Sequence, residues 1–302
     1  MLLIAWVGIL LLPAVARADD VNSYSDTTGR AWWTLQYYSG ATNAEVCIPK
    51  FNPGFVVLNK INKQASSMFG IAQVTVSVNT AQKIIAVNFR GPDAVTTFVL
   101  SGLQYMVVTP PLVDFEYGLK VAGEFATTFQ ILWDAGLRAA MNTVWDQYCD
   151  FTLLISGHSV GSCLGQMLSI KMWKDHMWEF NKIQYYGFGS PRCGDQTFAL
   201  SMDSSSYHRF RLQYTDYVVT LPTMSPCTTA AYPTFSTAQS CYWHCCWALR
   251  YSKSIFGSTT NTPSRCSQSE STTCVTGSIF DTLNHAGFFE VVYGVFSLSC
   301  TP

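Results

Sequence analysis

The sequence predicts a single α/β domain, a mostly parallel central sheet covered by helices. Three observations carry this. Strand-like apolar runs alternate with helical patterns through the middle of the chain, as parallel strands joined by crossover helices require. The run Phe151-Thr-Leu-Leu-Ile155 leads straight into Gly157-His-Ser-Val-Gly161 and then into a helical pattern, a strand turning sharply into a helix. No internal repeat or linker divides the 302 residues, a length that one large core can fill.

The elements follow in order. Met1 to Leu12 is an apolar stretch before Pro13 and Ala16-Arg17-Ala18, which reads as a secretory signal over 1–18. Its start lacks Lys or Arg, so an uncleaved anchor is the alternative. Residues 19–302 then form the domain. Arg30 to Tyr38 carries apolar residues at helical spacing, and Asn62 to Ser67 reads as a connector. Ala72 to Val78 alternates and meets Lys83 to Phe89 across a short turn, a hairpin. Tyr105 to Val108 is a further short strand. A long helical pattern spans Gly118 to Tyr148.

Beyond the Gly157–Gly161 turn, Leu164, Met167, Leu168 and Met172 keep helical spacing. Strand Ile183 to Phe188, a turn over Gly189 to Arg192, a short helix near Asp195 to Leu200 and strand His208 to Tyr214 complete the alternation. From Pro222 to Thr276 the chain is rich in Ser, Thr, Pro and Cys. Long loops and short strands are expected there, with Tyr242 to Tyr251 as an edge strand.

Composition narrows the function. Net charge is −1 and charged residues are 12%, about half the usual share, so no nucleic-acid partner is suggested. Nine Trp, fifteen Tyr and nineteen Phe fit either an apolar mouth or a large aromatic core. No segment after the leader reaches the length of a membrane span. Eleven cysteines in an exported chain argue for disulfides, and an odd count leaves at least one unpaired. Cys163, on the helix after Ser159, is the natural odd one. Cys241, Cys245 and Cys246 with His244 lack a convincing zinc spacing and read as disulfide partners.

The chemistry centres on Ser159. G-x-S-x-G alone is a weak signal, since a chain of this length shows it by chance about one time in ten. At a strand-to-helix turn it becomes specific, because such a turn exposes the serine Oγ above a helix N-terminus. A serine hydroxyl becomes a nucleophile only when an imidazole takes its proton and a carboxylate fixes that imidazole. On this topology the order is Ser, acid, His. Among five histidines, His158 points away from the serine, and His176, His208 and His244 are poorly placed. His285 fits. Asp216 follows strand 208–214, at the carboxyl edge where sites of open sheets form; Asp281 is its rival.

These residues carry a resemblance. The chain resembles the fungal-type class 3 lipase family, triacylglycerol lipase-like α/β-hydrolases. Gly157 to Gly161 is similar to its G-H-S-x-G elbow, and Tyr186-Gly-Phe-Gly-Ser-Pro-Arg192 with Gly194 to its F-G-x-P-R-x-G stretch. Asp216-Tyr-Val-Val-Thr-Leu-Pro222 is similar to D-x-V-x-x-L-P. Phe89-Arg-Gly91 is similar to F-R-G, and His285 precedes two aromatics as the family's histidine does.

The resemblance implies a catalytic triad of Ser159, Asp216 and His285, with Val160 N–H as one oxyanion donor. The family's second donor follows F-R-G, but Pro92 stands there and has no N–H, which shifts the expectation to Asp93. Ala122 stands where the family has a histidine. The likeness also implies bridges Cys47–Cys300 and Cys266–Cys274, and places residues 92 to 103 at the lid, with an ordinary buried connection as the alternative. It implies a secreted, monomeric ester hydrolase acting on acylglycerols at a lipid–water interface, without metal or organic cofactor. A phospholipase A1, a short-chain esterase or a lipid-binding protein with an impaired site are the alternatives.

Overall fold

The computed structural model describes residues 23–65, 70–91, 110–215, 218–222, 242–252, 262–266, 274, 275, 277, 285, 287–289, 291, 292 and 300. Its framework is an eight-stranded sheet. The strands are β1 (Val56–Gln64), β2 (Ile71–Asn79), β3 (Ile84–Phe89), β6 (Thr152–His158), β7 (Ile183–Phe188), β9 (His208–Gln213), β11 (Trp247–Arg250) and β12 (Ser264–Arg265), in that spatial order. The inner run β3-β6-β7-β9-β11 is parallel. The β1-β2-β3 meander and β12 are antiparallel to their neighbours.

The inner strands are buried on both faces; β6 and β7 read as largely apolar runs, while β9 alternates apolar residues with buried arginines. The period of two sorts them: Leu153 and Ile155 of β6 enter one core, while Leu154 enters the other. Helix α1 (Asp26–Ser39) covers the second face with Trp33, Leu35 and Tyr37. Ser25 caps it, its hydroxyl accepting from Thr28 N, and Asp26 pairs with Arg30 one turn on. Next comes α2 (Ala44–Phe51). The first face is covered by α3 (Gly123–Leu132), α4 (Arg138–Tyr148), α5 (Gly161–Lys174) and α6 (Gln196–Ser205). Helix α5 is buried from Gly161 to Met172, its polar Ser162, Gln166 and Ser169 included.

A smaller antiparallel sheet orders β10 (Tyr242–Trp243), β8 (Gly194–Asp195), β5 (Leu119–Ala122) and β4 (Leu112–Phe115). It ties the segment after Arg192 to the strand before α3, through the pairing of Val121 with Gly194. A short hairpin, β13 (Gly287–Phe288) with β14 (Val291–Val292), follows residue 285.

Four expectations change. The pattern over 118–148 is strand β5, α3 and α4, separated by a π turn (Trp133–Leu137) in which Gly136 takes φ +133°, a conformation open chiefly to glycine. Residues 62–64 belong to β1. That strand is an edge whose side chains are mostly exposed and include Lys60 and Lys63, so no apolar alternation marks it. Tyr242 to Tyr251 is two strands in different sheets, and β12, not β11, lies at the edge. Cys163 is not the odd cysteine. It bridges Cys193, joining α5 to the segment before β8, and the free thiol among the described residues is exposed Cys149.

The structure also bridges Cys47 with Cys300, Cys266 with Cys274, and the adjacent Cys245 and Cys246. Asn43 reinforces the first, accepting from Cys300 N and donating to Cys300 O. Residues 1–18, 92–103, 105–108 and Cys241 lie outside the described residues.

Candidate active site

The turn from β6 into α5 is tight enough to dictate its own sequence. Ser159 takes φ +56°, a left-handed conformation that costs a non-glycine residue of order 1–3 kcal/mol and persists only where the surroundings enforce it. They do so here: Ser159 N donates to Phe188 O at 2.8 Å, and Ser162 N donates back to Ser159 O at 3.0 Å. A Cβ on Gly157 would strike the backbone of Gly161 and Ser162, and one on Gly161 the backbone of Phe89 and Arg90. The two glycines of the pentapeptide therefore let helix, strand and the Phe89–Gly91 segment approach.

Ser159 is 1% exposed, and its Oγ has no hydrogen-bond partner among the described residues. That is an unsatisfied hydroxyl at the end of a buried strand, next to the first turn of a helix whose leading N–H groups have no intrahelical acceptors. Val160, fully buried, opens that turn.

His285, 6% exposed, is brought to the same place from the far end of the chain. Its ring lies on Gly189, where a Cβ would sit 2.8 Å from Cε1 and 2.9 Å from Nδ1. Gly189 follows Phe188, the residue that accepts from Ser159 N. The His285 carbonyl accepts from His158 Nε2 at 2.8 Å, and the two rings lie 5.0 Å apart. Phe289, four residues on, donates its N–H to Tyr214 Oη, packs edge-on against Tyr251 and lies under the Arg30 guanidinium. No hydrogen bond joins Ser159 Oγ to His285; such contacts commonly tighten only with substrate present.

His158 is buried between Trp33 and His285. Burial, and then the neighbouring His285, push its pKa down to about 3. Gly91 presses on this histidine from the third side: a Cβ there would lie 3.1 Å from Nδ1 and 3.4 Å from Ser159 Cβ.

Asp216, Pro92, Asp93 and Asp281 lie outside the described residues, but the flanks of Asp216 are held firmly. Arg250 donates to Thr215 Oγ1 at 2.8 Å. His244 Nε2 bonds Val219 O at 2.7 Å. Arg192 donates from Nη1 to the Thr220 and Pro222 carbonyls, and from its backbone N–H to Leu221 O. Burial, then the charges of Arg211 and Arg192, keep His244 well below its ordinary pKa. The cysteines around His244 give no sign of this brace in the sequence, because its partner is a backbone carbonyl that no side-chain pattern marks. Among the described residues there is no group of three or more His, Cys, Asp or Glu able to hold a metal, and no helix long and apolar enough to cross a membrane.

A mostly parallel sheet, with a serine at the strained β6–α5 bend and a buried imidazole carried past the last parallel strands, defines an α/β-hydrolase fold. The family model described as Lipase (class 3) matches residues 86–226, from within β3 to beyond the Asp216 segment. A lipase of Caenorhabditis elegans is 23% identical over 200 residues, which are 65% of this chain and 55% of that protein. The chain thus matches little more than half the length of that relative. Lip2 lipase from Yarrowia lipolytica shares the fold at a TM-score of 0.69 and 14% identity, covering 91% of this chain and 97% of that one. The triacylglyceride lipase of Rhizomucor miehei does so at a TM-score of 0.65 and 16% identity, covering 90% and 98%.

Proposed function

We propose that this protein is a serine carboxylic ester hydrolase that releases fatty acids from acylglycerols. Ser159 Oγ attacks the ester carbonyl while His285 takes its proton. The C–O bond to the alcohol then breaks and His285 gives the proton to the departing oxygen. Water repeats the sequence on the acyl-enzyme, freeing the fatty acid and restoring Ser159. Asp216 orients the His285 ring and stabilises it when charged. Val160 N–H holds the oxyanion, with Asp93 N–H as the second donor in place of a residue at Pro92.

The observation that carries the reading is the φ +56° at Ser159, beside a buried imidazole from residue 285. Strain is kept where the surroundings over-determine it, and such places cluster at reacting groups. Family and fold favour a lipid ester over a peptide. Four bridges among the described residues favour an oxidising compartment, hence secretion. The protein acts as a monomer at a lipid–water interface.

The test is release from short- and long-chain p-nitrophenyl esters and from emulsified triolein, with Ser159→Ala as control. Activity should fall at least about 10³-fold in that variant. Equal rates in the two proteins would end the proposal. Pro92, which has no N–H where the family has its second donor, favours one other reading, a lipid-binding protein with an impaired site. Diisopropyl fluorophosphate separates the two: a covalent adduct on Ser159 supports the hydrolase, and a folded protein that stays unlabelled supports the binder.

A further inference from the structure

We propose that His158 is a positioning residue, whose Nε2–H tethers the backbone of His285 to the residue that precedes the nucleophile. The inference rests on the hydrolase reading above, because it assigns His158 a task only if Ser159 and His285 react together.

A carbonyl oxygen only accepts. The 2.8 Å contact between His158 Nε2 and His285 O therefore places a proton on Nε2. The bond spans 127 residues of sequence and joins the last residue of β6 to the imidazole-bearing segment. The His158 ring cannot drift, since Trp33 packs edge-on at 5.5 Å and Gly91 closes on the Nδ1 side. Burial keeps the ring neutral far below neutral pH. Other contacts of that segment come from Gly189 just past β7, Tyr214 just past β9, Tyr251 just past β11 and Arg30 of α1. Of these contacts, the His158 bond alone comes from the strand that carries the serine, so it sets the distance between base and nucleophile directly. Misplacing a reacting group by 1 Å costs about 10²-fold in rate.

The experiment compares kcat and KM on p-nitrophenyl butyrate for wild type, Ser159→Ala, His158→Phe and His158→Gln. Phenylalanine fills the space without a donor, and glutamine restores an N–H near the Nε2 position. We expect His158→Phe to lower kcat by about 10- to 100-fold with KM within about twofold, and His158→Gln to recover most of the loss. Long-range ¹H–¹⁵N spectra of the wild type should show residue 158 as the neutral Nε2–H tautomer at pH 5. Full kcat in folded His158→Phe, equal losses in both variants, or an Nδ1–H tautomer would overturn the tether. Should His158→Phe not fold, the wild-type spectrum decides. An inactive wild type, or one no faster than Ser159→Ala, refutes the hydrolase reading instead, and the tautomer still tests the contact.

Discussion

Two histidines of this chain are kept neutral by their surroundings, and that has a consequence for stability. His158 is held down to about 3 by burial and by His285, and His244 lies well below its ordinary value through burial and the arginines beside it. In the unfolded chain both return to about 6.5. The folded pKa is depressed, so as pH falls below about 6.5 the unfolded state takes up protons first. Their contribution is fully present above that value and is lost on acidification, for His158 toward pH 3. His158 should lower the unfolding free energy by about 1.4 kcal/mol per pH unit within this window, and His244 should add to the slope in the same direction. Urea midpoints measured from pH 7 to pH 4 should show the slope, and His244→Phe should flatten it; a pH-independent midpoint would contradict the burial. Neither environment could be read from the sequence. Ser159 and His285 were marked by a pentapeptide and by chain order, whereas the partners of His158 and His244 are main-chain carbonyls 127 and 25 residues away.

At the scale of elements, the turn after β7 matters as much as the elbow. Gly189 sits at φ +60° with the His285 ring against its α-carbon. Gly189→Ala adds both backbone strain and a methyl where Cε1 and Nδ1 now lie. It should lower kcat at least about tenfold while costing only about 1–2 kcal/mol of stability. Esterase kinetics beside thermal melts check this, and unchanged kcat would show that the turn does not seat the ring. The strands that matter here were readable in the sequence for a physical reason. β6 and β7 are covered on both faces and are largely apolar runs, whereas β9 alternates Phe210 and Leu212 with buried Arg209, Arg211 and Gln213. β1 escaped because an edge needs no such run, and the break at Gly136 escaped because helical spacing continues on both sides of it.

Across the whole molecule, helices α1 and α2 are held against Phe289 and Cys300. Cys47 of α2 is joined to Cys300, 253 residues away, with Asn43 bonding both main-chain groups of Cys300. Arg30 and Tyr251 grip Phe289, while Tyr251 also bonds Asp26 and Tyr24. Replacing Cys47 and Cys300 by Ser should cost about 2–5 kcal/mol, read as a lower urea midpoint. It should also lower kcat more than KM, because the tail that presents His285 loses an anchor. A midpoint equal to wild type would show that the non-covalent grip suffices. The family resemblance pointed to this bridge, but not to Cys163–Cys193, whose partners lie on a buried helix and a turn with no spacing signature.

The pair proposed to react is split across the chain, with the serine at 159 and the imidazole at 285, and neighbouring contacts reach back to Trp33 and Arg30. A ribosome making this protein would therefore release the nucleophile long before its base. A nascent polypeptide stalled anywhere short of residue 285 carries a hydroxyl with nothing to take its proton. On the proposed mechanism, an incomplete chain therefore cannot cleave esters by this route, whatever lipids surround it.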